Sequence, residues 1–263
     1  MSIQITTEQI KELRDSTGIS VMQCKRALEE AGGDPKKALA ILKKTSSDIA
    51  LKKMSREVKS GRISVQIKET GKDKKVVLVA LLCETDFVAQ NEDFVNLSEK
   101  LTAKALAEGI DKMKTEAKEM IDAIIQKTGE NTQLGEVLEI TGEILGIYIH
   151  NNKTGVVVSL QGGTEELAKD VAMHITAMKP EYISREEIGE EAQKTMREIF
   201  EKEVATLEKP EEIKRKMLEG KMATYFKERT LLDQPFIKNA EETVGQLLEK
   251  AKVKIKEVKR CSI

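Results

Sequence analysis

The feature that most constrains the fold of this sequence is an internal repeat of two strands followed by a helix. In the first copy, residues 63–67 alternate between apolar and polar side chains, residues 70–73 form a turn, and an apolar run returns from Val76 to Cys83. The apolar residues that then recur at helical spacing are Phe94, Leu97, Leu101 and Ala105. Because a hairpin has one apolar face that must be covered, this pattern predicts a hairpin packed beneath its own helix.

The second copy repeats this order further along the chain. Residues 145–149 alternate, a turn follows at residues 150–155, and residues 156–160 form the return strand. Its helical stripe consists of Leu167, Ala168, Val171, Ala172 and Ile175. A helix around residues 117–125 and a strand around residues 137–140 join the two copies. The predicted fold class is therefore α+β, with a core of two related hairpin-plus-helix subdomains.

The first part of the sequence predicts a small helical domain. Capping-box spacing at Thr6 and Ser20, and a Gly-Gly-Asp-Pro sequence at residues 32–35, mark the starts of three short helices. The Ser- and Lys-rich segment from Lys43 to Gly61 has only a weak apolar stripe and predicts a partly helical linker. We therefore expect a compact three-helix module that is tethered to the core.

A charged segment late in the chain predicts an antiparallel helical hairpin. Between Arg185 and Arg229, apolar residues recur every three or four positions on either side of Lys209-Pro210, which interrupts the pattern. The predicted boundaries are residues 1–55 for the helical domain and linker, 56–142 for the first core subdomain, 143–184 and 230–263 for the second, and 185–229 for the inserted hairpin.

Composition narrows the classes of function. The sequence carries 44 basic and 45 acidic side chains, so no field of one sign favours the capture of nucleic acid or of an anionic membrane. Three widely separated cysteines indicate free thiols in a reducing compartment rather than a disulfide framework. No signal-peptide pattern opens the sequence, and its longest apolar run is too short to span a bilayer. We therefore expect a cytoplasmic protein with no membrane and no nucleic acid among its partners.

Motifs for nucleotide, metal and covalent chemistry are missing from the sequence. It contains neither G-x-x-x-x-G-K-[ST] nor G-x-G-x-x-G, so we expect no direct nucleotide binding. His150 and His174 lack metal-ligand spacing, and His174 is interpreted as a satisfied or exposed helix histidine. Cys83 beside Glu84 could be an activated thiol, but no histidine partners it in the sequence, and a core cysteine is the preferred interpretation. We predict that the protein is not an enzyme and has no cofactor or metal ion.

Two aromatic residues lie just after the second strand of the first repeat, in a segment that the second repeat lacks. Phe87 falls at the connection between this strand and the next helix, where a ring either packs on the loop or anchors a partner. Phe94 is in helical register with Leu97 and is interpreted as a core residue, outside any binding site.

The segment Thr85-Asp86-Phe87-Val88-Ala89-Gln90-Asn91-Glu92-Asp93-Phe94 resembles the signature of the bacterial elongation factor Ts family. Further segments are similar to the family's other motifs, in the expected order. They are residues 13–28, residues 171–174 with 179–182, residues 219–222 and residues 243–248. The resemblance covers almost the whole chain.

This resemblance implies a guanine nucleotide exchange factor of elongation factor Tu. It implies a ubiquitin-associated-like helical domain, a core of two related subdomains, and a coiled-coil hairpin inserted in the second subdomain. It also implies that the loop from Thr85 to Val88 enters between two helices of the partner's GTP-binding domain. There Phe87 displaces side chains, Asp86 engages nearby polar groups, and the Mg²⁺ site is disturbed.

The same resemblance implies further contacts with the partner. Arg14, Val21 and Met22 fall where the helical domain meets the nucleotide-binding face, and His150 falls at a position that touches the partner in relatives. Composition alone favours a core position for Met22 and leaves His150 ambiguous. This sequence departs from the family pattern at Gln23, where many members have an acid.

Two functions of different classes remain open. The first is a non-enzymatic exchange factor that binds the GDP-bound and nucleotide-free forms of elongation factor Tu and promotes GDP release and GTP reloading. The alternative is an adaptor whose helical domain recruits another partner while the core serves as a scaffold. The release of a bound GDP analogue distinguishes them, because only the exchange factor accelerates it.

Overall fold

The structure is a computed structural model that describes residues 5–263, in which helices and strands are mixed as expected for the α+β class. The helices are α1 (Thr7–Thr17), α2 (Val21–Glu30), α3 (Pro35–Lys53), α4 (Asp86–Ala89), α5 (Glu92–Glu108), α6 (Ile110–Thr128), α7 (Glu165–Met178), α8 (Glu190–Ala205), α9 (Glu211–Arg229) and α10 (Val244–Lys250). The strands are β1 (Ser60–Thr70), β2 (Asp73–Cys83), β3 (Thr132–Gly142), β4 (Ile144–His150), β5 (Thr154–Gln161), β6 (Pro235–Phe236), β7 (Asn239–Thr243) and β8 (Lys254–Ser262).

The described chain divides into two compact units. The first consists of residues up to Ile140, Ile149–Gly155 and Arg260–Ile263, and the second of Thr141–Tyr148 and Val156–Lys259. The domain boundaries drawn from the sequence lie at other positions and stay predictions.

In the first unit, β1 and β2 form a hairpin where the first repeat predicts one. The strands pair antiparallel with Ser60 opposite Cys83, and Gly71 takes the left-handed conformation (φ 69°) that a two-residue hairpin turn favours. β3 extends the sheet in the order β1-β2-β3. The β2 residues that alternate into a buried cluster with α5 and α6 are Val77, Val79, Leu81 and Cys83. Helices therefore cover the apolar face of this hairpin.

Helices α1, α2 and α3 pack around a small core of their own. The side chains of Thr6, Ser20 and Asp34 accept hydrogen bonds from backbone N–H groups at the three helix starts, and Pro35 takes the first position of α3. The buried residues of this core are Leu13, Ile19, Cys24, Ala27, Leu28, Ala38 and Leu42. Three helices thus begin where the capping signals predict them.

Helix α3 continues to Lys53, so the segment from Lys43 is partly helical as predicted, but its helical part packs on α6 and is not a free linker. Ser46 Oγ is hydrogen-bonded to Gln126 Oε1 on α6. Ser47 Oγ donates to Asp122 Oδ2, also on α6, at 2.8 Å. The serines that suggest a linker by composition are therefore contacts between two helices, a role that periodicity in the sequence does not reveal.

In the second unit, α7 and α10 pack on a sheet of order β4-β5-β8. The buried residues that α7 contributes are Ala168, Val171, Ala172 and Ile175. Gly146 on β4 allows this helix to approach closely, because a Cβ at that position would lie 2.0 Å from the carbonyl carbon of Ala168. The apolar face of α7 that the second repeat predicts therefore packs into the core of this unit.

His174 on α7 is buried and its two ring nitrogens have partners. Nε2 lies 2.9 Å from Gln234 Oε1, and Nδ1 accepts a hydrogen bond from the Ile237 N–H at 3.2 Å. Its ring stacks on Phe236 with 5.9 Å between the ring centroids. Burial holds the pKa of His174 below its ordinary value, since the charged form loses its hydration. Of the two environments that the sequence left open for His174, satisfied or exposed, the structure shows the satisfied one.

Helices α8 and α9 pack antiparallel across the connection formed by residues 206–210. Lys221 Nζ pairs with Glu203 Oε2 at 2.7 Å, and the rings of Phe200 and Tyr225 meet edge to face with 6.4 Å between centroids. Residues that come later in α9 thus meet residues that come earlier in α8. Most side chains of this pair are exposed, in keeping with its high charge.

Candidate functional site

The candidate site is centred on Phe87, whose side chain is 91% exposed. The next most exposed large apolar side chain among residues 5–263 is Met54, at 65%. Phe87 lies on α4, the single helical turn between β2 and α5, and we call residues 85–89 the Phe87 turn. Burying a phenylalanine side chain is worth about 1.5–3 kcal/mol. The exposed ring therefore offers a gain in free energy that a partner surface can realise.

Hydrogen bonds and apolar packing fix the conformation of the Phe87 turn. Thr85 is the N-cap: its Oγ1 accepts from the Val88 N–H at 3.4 Å, and its carbonyl accepts from the Ala89 N–H at 3.1 Å. Ala89 is buried in the core of the first unit, and Val88 is half-buried against the same core. The turn is thus anchored on the side of Val88 and Ala89 while the Phe87 ring remains in solvent.

Phe94, the second aromatic residue of the segment, has the opposite environment. Asn91 caps the start of α5, and Phe94 points from the first turn of that helix into the core cluster, where it is fully buried. The prediction that Phe94 is a core residue is confirmed. The two phenylalanines are seven positions apart, yet one stabilises the fold and the other faces solvent.

The connection after α6 holds the start of the Phe87 turn. Glu130 Oε2 accepts from the Thr85 N–H at 3.0 Å, and Glu130 Oε1 accepts from the Thr85 hydroxyl at 2.7 Å. In the reverse direction, Glu84 Oε1 accepts from the Asn131 N–H at 2.6 Å. Residues 84–85 are therefore tied to residues 130–131, and each of the two segments supplies one carboxylate as acceptor.

Asp86 is held within its own subunit by a lysine and a serine. Asp86 Oδ1 accepts from Lys153 Nζ at 2.7 Å and from the hydroxyl of Ser60. These hydrogen bonds, that of Lys153 first, hold the pKa of the Asp86 carboxyl below its ordinary value. The Asp86 side chain is still 70% exposed. It is therefore an oriented, ionised carboxylate that a partner can reach.

The residues predicted to contact a partner from the helical domain are Arg14, Val21 and Met22. All three are exposed around the α1–α2 connection, so the core position that composition favours for Met22 is wrong. Gly18 in this connection has φ 68°, and a Cβ placed on it would lie 2.5 Å from Lys127 Nζ. Lys127 Nζ in turn pairs with Asp93 Oδ1 at 3.1 Å. The α1–α2 connection thus lies beside the lysine that pairs with Asp93, a residue that follows the Phe87 turn.

His150, the last predicted contact residue, lies at the exposed end of β4. It begins a turn in which Asn151 and Asn152 have positive φ angles (50° and 56°), and its carbonyl accepts from the Lys153 N–H at 2.9 Å. Lys153 is the residue that pairs with Asp86. The structure therefore brings the His150 turn into contact with the Phe87 turn through this ion pair.

Cys83, which could be an activated thiol by its sequence position beside Glu84, is buried at the end of β2. Its Sγ donates to the Thr85 carbonyl at 3.1 Å. Burial, with a further effect of the Glu130 charge, raises the pKa of the Cys83 thiol to about 11. A thiol that stays protonated and inaccessible supports the interpretation of Cys83 as a core residue.

Two features are absent from residues 5–263 and bear on other classes of site. That range contains no cluster of three or more histidine, cysteine, aspartate or glutamate residues arranged to hold a metal ion. None of its helices has both the length and the apolar character needed to cross a membrane.

Sequence reasoning missed three residues that position the site: Ser60, Glu130 and Lys153. Ser60 and Lys153 are 93 positions apart and meet only through the pairing of strands and turns, with 2.7 Å between Lys153 Nζ and Ser60 Oγ. For Glu130 a signal was available, because it stands directly after Gly129, the left-handed cap of α6. An acid at that position suggests an anchored turn but not which residue it contacts.

Comparisons with known proteins identify the family to which the sequence is similar. Residues 84–263 match the family model described as Elongation factor TS. A relative named Elongation factor Ts from Pseudomonas aeruginosa is 35% identical, over 96% of this chain and 88% of its own length. Those from Thioalkalivibrio sulfidiphilus and Nitrosomonas eutropha are 37% and 38% identical, over 98% and 94% of this chain and 92% and 87% of their own lengths.

The matches to these relatives cover nearly the full sequence and define the class of protein as an elongation factor of protein biosynthesis. Proteins named elongation factor Ts are nucleotide exchange factors within this class. Within it, the chain belongs to the elongation factor Ts family.

Proposed function

We propose that this chain is a guanine nucleotide exchange factor for elongation factor Tu in translation elongation. It binds the GDP-bound GTPase, promotes the release of GDP and the reloading of GTP, and also binds the nucleotide-free form. The observation that carries the proposal is the almost fully exposed ring of Phe87 on an anchored turn, in a chain of the elongation factor Ts family.

A function of this kind needs no catalytic group. An exchange factor binds the nucleotide-free partner more tightly than the nucleotide-bound partner, and linkage makes this coupling reciprocal. Tight binding of the factor therefore weakens the binding of GDP. The protonated, buried thiol of Cys83 is consistent with a protein that makes and breaks no bonds.

The Phe87 turn acts at the Mg²⁺ and phosphate site of the partner. Its residues Thr85, Asp86, Phe87 and Val88 enter between two helices of the GTP-binding domain, where the Phe87 ring displaces side chains. Asp86 is presented as an oriented carboxylate by Lys153 and engages polar groups beside the ring. Displacement of the partner's side chains by Phe87 disturbs the coordination of Mg²⁺ and loosens the bound GDP.

Free energies indicate that Phe87 does not act alone. Burying the ring is worth about 1.5–3 kcal/mol, whereas a thousandfold faster release requires a barrier lower by about 4 kcal/mol. Arg14, Val21, Met22 and His150 supply the remaining contacts. Three observations support this assignment: the four residues are exposed, the α1–α2 connection lies beside Lys127, and the turn after His150 is joined to the Phe87 turn by the Lys153–Asp86 ion pair.

The remaining parts of the chain take supporting roles in this proposal. The three-helix module is a ubiquitin-associated-like domain that meets the nucleotide-binding face, the two repeats are the related subdomains of the core, and the α8–α9 pair is an inserted coiled-coil hairpin that adds partner surface. The boundaries are those read from the sequence. The protein works in the cytoplasm, without a cofactor, without binding nucleotide itself, and without a nucleic-acid or membrane partner.

Stopped-flow release of a fluorescent GDP analogue from elongation factor Tu tests the function. We expect small amounts of this chain to accelerate release strongly, and Cys83→Ser to retain that effect because the hydroxyl keeps the hydrogen bond to Thr85. Release at the uncatalysed rate despite formation of a complex would favour the adaptor. A loss of acceleration in folded Cys83→Ser would favour thiol chemistry.

A further inference from the structure

The Phe87 turn is too short to hold its own conformation. α4 contains four residues, and isolated helices shorter than about 12 residues are marginal in water. Contacts from elsewhere in the fold must therefore determine how the ring of Phe87 is presented. Glu130 makes two of these contacts, both with the N-cap residue Thr85.

The backbone is held in place on both sides of Glu130. Gly129, in the left-handed conformation with φ 77°, ends α6 immediately before it, and the Glu130 N–H donates to Thr128 Oγ1 at 3.3 Å. On the other side, the Asn131 N–H donates to Glu84 at 2.6 Å. The carboxylate therefore occupies a defined position beside the N-cap of α4.

The hydrogen bonds of Glu130 continue across Phe87. Its two oxygens accept from the N–H and the hydroxyl of Thr85, at 3.0 and 2.7 Å. Because the hydroxyl hydrogen of Thr85 points at Glu130, the lone pairs of Thr85 Oγ1 are free to accept from the Val88 N–H, which lies at 3.4 Å. The chain of contacts from Glu130 through Thr85 to Val88 thus spans the residue that carries the exposed ring.

We propose that Glu130 is a positioning residue that holds the Phe87 turn in its docking conformation before the partner arrives, an inference that rests on the exchange function proposed above. Without the carboxylate, the Thr85 hydroxyl loses its fixed orientation and the turn frays. When only a fraction of molecules is competent to bind, the apparent affinity falls by that fraction. Glu130 therefore acts on the affinity of the encounter and not on the release step itself.

The free chain gives the first test, which needs no partner. The sequence contains no tryptophan, so Phe87→Trp introduces a single reporter at the site. We compare its fluorescence anisotropy in three otherwise identical proteins: with Glu130 intact, with Glu130→Gln, and with Glu119→Gln. Glu119 is an exposed acid of α6 that pairs with Lys43, and its change matches the loss of charge at Glu130. Anisotropy should fall for Glu130→Gln and stay at the original value for Glu119→Gln.

Exchange kinetics with Phe87 in place give the second test. For Glu130→Ala we expect the factor concentration at half-maximal GDP release to rise about tenfold, which corresponds to about 1.4 kcal/mol, while the maximal rate is unchanged. Glu130→Gln retains one acceptor oxygen and should restore part of the affinity. Two results would overturn the positioning role. One is equal anisotropy in Glu130→Gln and Glu119→Gln; the other is a lower maximal rate of GDP release for Glu130→Ala with an unchanged half-maximal concentration. If the unsubstituted chain does not accelerate release at all, the exchange function fails, and the anisotropy still decides whether Glu130 orders the turn.

Discussion

Thr85 and Glu130 are 45 positions apart in the sequence and share two hydrogen bonds, from the backbone N–H and from the hydroxyl of Thr85. This contact joins the end of strand β2 to the end of helix α6, both of which are set by the core of the first unit. The turn that carries the exposed ring of Phe87 is therefore attached to the core of the first unit at its N-cap residue.

The two phenylalanines of the signature segment should separate stability from function. Phe94→Ala removes a fully buried ring and should lower the free energy of unfolding by about 3–5 kcal/mol. Phe87→Ala removes an exposed ring and should change it by no more than about 0.5 kcal/mol. Urea denaturation of the two variants measures both values. Similar losses of stability would show that the Phe87 ring packs on its own protein.

The ion pair of Asp86 should be visible in its titration. Hydrogen bonds from Lys153 and Ser60 hold the pKa of Asp86 below the ordinary value of 3.8. Because this pKa is depressed, the contribution of the pair to stability is present above the unfolded-state pKa and is lost as the pH falls through the folded-state pKa. Lys153→Met should raise the pKa of Asp86 toward 3.8, as followed by carboxyl chemical shifts. Lys75→Met, which removes a different ion pair on β2, is the control and should leave it unchanged.

His174 should make the stability of the protein fall with acidification. Burial lowers its pKa in the folded protein, whereas in the unfolded chain His174 has its ordinary pKa of 6.5 and binds a proton at higher pH. The contribution of neutral, buried His174 to stability is therefore present above pH 6.5 and is lost as the pH falls toward the folded-state pKa. Thermal unfolding of the original protein and of His174→Gln across this range tests the assignment. The substituted protein should show a smaller dependence on pH, and an unchanged dependence would assign the effect to other groups.

Much of the fold could be predicted because the local signals agree with the tertiary structure. The caps at Thr6, Ser20 and Asp34, and the turn at Gly71, depend on neighbours a few residues away and appear where the sequence indicates. The extent of α3 was missed because Ser46 has a polar side chain that is buried only when α6 is in place. Composition cannot distinguish such a serine from one in a solvated linker.

The candidate site could be predicted only in part, because some of its contacts join segments that are far apart in the sequence. Phe87 could be singled out because an aromatic residue at a strand exit is unusual in a sequence with few aromatics. Its supports could not, since Glu130 and Lys153 are joined to the Phe87 turn only by the way separate segments pack together. Resemblance predicts the residues that face a partner, and the structure adds the side chains that contact them within this chain.

The most direct test of the central claim compares GDP release with Phe87→Ala and with Met54→Ala. Both variants remove an exposed apolar side chain from the first unit, but only Phe87 lies on the proposed docking turn. Loss of about 1.5–3 kcal/mol of transition-state stabilisation should slow the accelerated release of GDP from elongation factor Tu about ten- to hundredfold for Phe87→Ala. Met54→Ala should match the original protein. Equal acceleration by all three proteins would contradict the account.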